Sequence, residues 1–142
     1  MTEREYERVK VRLNRYRELR GRVGRLAEEA VRWNAMAELS APDLRQAGGG
    51  RGSHRDMGAI KASALAIEEE RDQLAREAME ERRRLMDEIS GVEDAASRDI
   101  LERVYIGGAT VREVASLLEI SEKTVLRKLC RAAGLLAQKE NR

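Results

Sequence analysis

Lys123, Arg127 and Arg131 recur every four residues near the end of the chain, with Lys128 beside them and Ser121, Glu122 and Thr124 just ahead or between. On a helix whose core positions face inward, the outward face then presents Glu122, Lys123, Thr124, Arg127, Lys128 and Arg131, four of them basic. An ammonium or guanidinium pairs with phosphate oxygens, and a guanidinium can also fork onto two acceptors of one base edge. Short polar side chains at the start of such a helix suit the base edges themselves. This chemistry is recognition of a polyanion, not bond making.

The remaining reactive residues do not assemble a catalyst. The chain has one His and one Cys, and no spacing sets a nucleophile beside a base. His54 sits in a Gly-rich stretch and reads as an exposed side chain. GGGRGS at 48–53 lacks the Lys-Ser/Thr and the preceding strand of a phosphate loop. Cys130 follows Leu126 by one turn and is expected to pack against its own domain. No ligand cluster suggests a metal, so the sequence predicts a non-enzymatic protein without cofactor.

Three short helices must position the basic face: Val92 to Ile106, Val111 to Leu118, and Glu122 to about Ala137. Gly107 and Gly108 can take positive φ and end the first, Thr110 can cap the second with Glu113 completing a capping box, and Ser121 can cap the third. Val111, Val114, Ala115 and Leu118 share one apolar face, Ile120 lies in the turn, and Val125 and Leu129 face inward from the third helix. Ala115 is small enough for two helices to cross closely. Ile100, Leu101, Val104 and Tyr105 supply the supporting helix, and Leu135 or Leu136 closes the core. This is helix-turn-helix spacing.

The predicted DNA contacts are Thr110, Ser121, Glu122, Lys123, Thr124, Arg127, Lys128 and Arg131. Arg127 is the candidate for reading a base, while Lys128 and Arg131 are placed for phosphates. The plainer alternative is a solvated face used for protein contacts.

Upstream, the composition is 38% charged and 3% aromatic, with no Phe and one Pro, which favours long helices with narrow seams over a large core. Residues 2 to about 39 read as one helix with Tyr6, Val9, Leu13, Tyr16, Val23, Ala27, Ala30 and Ala37 on a seam, flanked by Leu19, Leu26 and Trp33. Gly21 and Gly24 predict a bend or a close contact there. Arg15, Arg17, Arg20, Arg22 and Arg25 around them read as a solvated face, with phosphate binding as the alternative. Residues 40–56 hold the Pro and four of the eleven glycines and predict a flexible loop. A second helix follows from Met57 to about Ser90, with Met57, Ile60, Ala64, Ile67, Leu74, Ala78, Leu85 and Ile89 on its seam, interrupted by Arg71 and Glu81.

The expected fold is therefore all-α: a helical hairpin over 1–90, coiled-coil-like and antiparallel, then a three-helix domain over 91–142. Net charge is only +2 with pI near 8.9, but residues 1–39 carry ten cations against seven anions and residues 57–92 six against nine, so the two long helices attract. Their thin Ala-rich seams bury little area, which predicts self-association, with a homodimer favoured. The first thirty residues are charged throughout, without the apolar core of a signal peptide, and no run of eighteen apolar residues occurs. A cytoplasmic protein that does not enter membranes is expected.

The segment TVREVASLLEISEKTVLRKLCRAAGLL resembles the region-four helix-turn-helix of bacterial sigma factors, especially of the extracytoplasmic-function type. That likeness implies promoter recognition by Ser121 to Arg131 and contact with RNA polymerase. Glu119 departs from it, since many such motifs have Gly there. With the GGGRGSHRDM junction and VYIGGATVREVA, the chain also resembles phage and prophage regulators of the RinA and ArpU type, which implies activation of phage genes. No segment resembles the promoter-melting region of a complete sigma factor. The sequence thus predicts a DNA-binding transcriptional regulator. A phage small terminase-like assembly protein and an RNA polymerase-binding adaptor are the alternatives, with ring formation separating the former.

Overall fold

The computed structural model describes residues 3–46 and 51–140, and every described regular element is helical. α1 spans Glu3–Gln46 and α2 spans Arg51–Ser90. α3, Ala95–Leu101, continues into a π-helical segment Glu102–Ile106. α4 covers Val111–Leu118 and α5 covers Glu122–Glu140. No described helix is long and apolar enough to cross a membrane.

Both long helices run further than their sequence signals suggested. α1 passes through Ser40 and Pro42 to Gln46, and α2 begins at Arg51, so His54 is helical. Once a helix is nucleated each further residue adds a hydrogen bond, and Leu44, Arg45 and Gln46 are good helix formers. Of the predicted flexible loop, residues 47–50 lie outside the described residues. The expected close contact at the α1 glycines is also corrected. A Cβ on Gly24 would meet nothing within 4 Å, and one on Gly21 only the tip of Arg25 at 3.4 Å.

The chain divides into two compact units. One comprises Met1–Glu18 with Ala78–Arg142. Its core takes Val9, Leu13 and Tyr16 from α1, Leu85 and Ile89 from α2, and Val92, Ile100, Leu101, Val104 and Tyr105 from the segment after it. α3 and α4 both pack on α5, which contributes Val125, Leu129, Ala132, Ala133, Leu136 and Ala137. Leu136 closes this core, while Leu135 remains partly exposed. Arg12 pairs with Glu88 at 3.1 Å and Arg15 with Glu81 at 3.3 Å, so partner numbers fall along α2 as they rise along α1. Glu81, which interrupts the α2 seam, also takes Arg84 at 3.1 Å. An acidic residue at a seam position is tolerated because two guanidiniums neutralise it.

The other unit is Leu19–Glu77. Among the described residues, those buried in it are Leu19, Ala30 and Ala37 of α1 and Ala64 and Leu74 of α2. Val23, Leu26, Ala27 and Trp33 are half-buried, as are Ile60 and Ile67. Asn34 donates to Glu68 at 2.9 Å, linking the two helices by a polar pair. A seam made largely of alanine buries little apolar area per turn.

Candidate nucleic-acid interface

The candidate face stands on α5, and the chain from Val92 to Ser121 holds that helix in place. Asp94 caps α3: its carboxylate accepts from the Ser97 backbone N–H at 3.3 Å and from the buried Ser97 hydroxyl. The Ser97 hydrogen bond is the chief reason the Asp94 carboxyl sits below its ordinary value of 3.8, and the positive charge of Lys128 adds to it. The sequence predicts a start at Val92, three residues before the observed one. The signal for the observed start is an Asp followed by two alanines, a good N-cap before good helix formers.

α3 ends differently from a simple glycine stop. The π-helical segment widens the last turn, Gly107 donates to the Glu102 carbonyl at 2.9 Å, and Ala109 donates to Arg103 at 2.9 Å. Gly108 takes positive φ, at 76°, whereas Gly107 does not. Gly107 is required for space instead, because a Cβ there would stand 2.9 Å from the Arg103 carbonyl oxygen. Tyr105 is buried in this segment, and burial pushes its hydroxyl above the usual value.

Thr110 then caps α4, its hydroxyl accepting the Glu113 N–H at 3.1 Å. α4 buries Val114 and Ala115, with Val111 and Leu118 half-buried. The turn to α5 pivots on Glu119, which adopts the left-handed conformation, φ 57° and ψ 42°. That geometry disfavours a residue with a Cβ. Ile120, half-buried, donates to Ala115 at 3.1 Å. Ser121 Oγ caps α5 by accepting from Thr124 N–H at 3.1 Å, and the Ser121 and Thr124 hydroxyls share a 2.7 Å hydrogen bond.

Beyond this cap the eight predicted contact residues separate. Thr110, Ser121, Glu122, Lys123, Arg127 and Arg131 are exposed, while Thr124 and Lys128 are half-buried. The Thr110 and Ser121 hydroxyls are engaged as caps, so their first role is to set the helix starts. Lys128 lies toward Asp94 rather than with the outward cations. Lys123, Arg127 and Arg131 stay together on the side opposite the buried stripe Val125, Leu129, Ala132 and Leu136. Cys130, expected to pack inward, is exposed. Leu126 is 51% exposed and stands on the flank of the basic face, beside buried Ala133 and Ala137, a place the sequence does not predict for it. Its three-residue spacing from Lys123 was the available signal. Among the described residues no group of His, Cys, Asp or Glu is placed to hold a metal ion.

Residues 38–137, more than two thirds of the chain, match the family described as Protein of unknown function (DUF1492). The chain belongs to this family. The DUF1492 match takes in α2, α3 and α4 whole and α5 as far as Ala137, so the capped turn and the basic face fall inside it. No curated protein and no solved structure matches the chain.

Proposed function

We propose that this DUF1492 protein is a sequence-specific DNA-binding transcriptional regulator, phage or prophage encoded, acting in the cytoplasm. In this reading α4 and α5 are a helix-turn-helix resembling region four of sigma factors, and α5 lies in the major groove. One observation carries it: the exposed row Lys123, Arg127 and Arg131, presented by a helix whose start is fixed by the Ser121 cap. Cations spaced by single turns meet phosphates along one groove wall, and a guanidinium near the start of the helix reaches guanine O6 and N7. The left-handed turn residue at Glu119 supports the likeness, since that is where the related motifs carry Gly. α1 and α2 form an antiparallel hairpin through which two copies pair, and RNA polymerase is the second partner.

The test is titration of the purified chain into fluorescent duplexes from its genomic neighbourhood and into scrambled duplexes, at two salt concentrations, with its mass measured in solution. Sequence-dependent binding by a dimer, weaker at higher salt, is expected. Absence of binding at both salts would overturn the DNA reading in favour of a protein-contact role, and a closed ring of many copies would favour an assembly protein.

A further inference from the structure

The outward side of α5 is not purely polar. Lys123, Leu126, Arg127 and Cys130 follow one another at the three, four and seven intervals of a single helical face, and all four are exposed. Their neighbours Val125 and Leu129 are buried at 0% and 8%, so Leu126 at 51% stands outside the core. A single exposed leucine is ordinary on a protein surface. This one lies beside two cations of the candidate interface, in the first half of the helix, where a helix seated in the major groove meets base edges. Most groups a base pair offers in that groove are hydrogen-bond donors or acceptors. The C5-methyl of thymine is its one apolar group of any size.

We infer that Leu126 reads a thymine methyl group, making it a specificity-determining residue. The inference rests on the DNA-binding reading of α5. Arg127 and Lys123, both on the outward flank of Leu126, hold the helix against the duplex, and the leucine side chain then covers the methyl and displaces water from it. A cytosine in the same place carries only a hydrogen on C5, so the leucine loses its methyl partner and the contact selects thymine.

The experiment begins by selecting duplexes bound by the full chain from a pool with a randomised core. The preferred site is then made with each thymine replaced, one at a time, by deoxyuridine, which lacks only the methyl. Wild type should lose about fourfold in affinity at one position, the weight of one apolar carbon contact. Leu126→Ala should bind the thymine and deoxyuridine versions of that position equally, and Leu126→Met should keep the difference. Unchanged helical circular dichroism would show that both variants fold. If no duplex is selected, the DNA reading falls and takes this inference with it. If a site is selected but no thymine is methyl-sensitive, or Leu126→Ala retains the sensitivity, the DNA reading stands and the role of Leu126 is overturned.

Discussion

Glu119 holds the turn between α4 and α5 in a backbone conformation that suits glycine, with φ at 57°. Replacing it with Gly removes the steric cost of the Cβ but adds freedom to the unfolded chain, and the first effect is the larger. Glu119→Gly should therefore raise stability by roughly 0.5–1 kcal/mol in denaturant titrations. Arg127 and Arg131 differ in expected role although both are exposed. Arg127→Ala should cost roughly 1–3 kcal/mol at one base position, while Arg131→Ala should weaken all sequences alike and lower the salt slope by about one. Equal losses on operator and random DNA for both variants would contradict that division. Lys128, drawn toward Asp94, should show a smaller loss than Arg131. Asp94 itself predicts an acid limb. Its carboxyl is held below 3.8, so its stabilising contribution is in place above that pH and is lost as pH falls through the lowered value. Asp94→Asn should flatten the melting temperature profile below about pH 4.

At the scale of elements, two glycines predict opposite outcomes. Gly24 lies in α1 with open space around its α-carbon, so Gly24→Ala should stabilise by roughly 0.5–1 kcal/mol. Gly107→Ala should destabilise by roughly 1–3 kcal/mol, because the Cβ would press on the Arg103 carbonyl within the backbone itself. Thermal melts of the two variants check both signs. The bounds of α4 and the start of α5 were legible in the sequence because Thr110 and Ser121 carry cap chemistry that acts within three residues. The π-helical segment was not, since its hydrogen bonds reach five and six residues along the chain and no single side chain announces them. The end of α1 at Gln46 and the start of α2 at Arg51 escape the sequence for a related reason. Ser, Pro and Gly weaken a helix locally but do not set where an already formed helix stops. On the candidate site, periodicity put Glu122, Lys123, Thr124, Arg127, Lys128 and Arg131 on one outward face; four of these are exposed, while Thr124 and Lys128 are half-buried because they sit at the edge of the helix's packed side. It placed Cys130 inward and passed over Leu126, because an apolar side chain is assigned to the core by type unless its angle on the helix is followed residue by residue.

For the whole molecule, one compact unit joins Met1–Glu18 to Ala78–Arg142. Tyr105 illustrates the join, since it lies within electrostatic reach of both Arg17 in α1 and Cys130 in α5. A chain lacking residues 1–18 should consequently lose amide-exchange protection across α3 to α5, although every one of those helices is still present. Full protection in the shortened chain would show that α3 to α5 hold themselves together.

The same join has a consequence in time. Residues 1–18 leave the ribosome well before the residues from 78 onward that complete their unit. At about 5–20 residues per second the wait for Ala78 alone is roughly 3–12 s, long against the microseconds a helix needs to form. Val9, Leu13 and Tyr16 spend that interval as an uncovered stripe on a newborn helix. During synthesis the chain is thus most exposed to chaperones, and to other nascent copies of itself, at its beginning, and the basic face of α5 acquires its full support only as the last helix arrives.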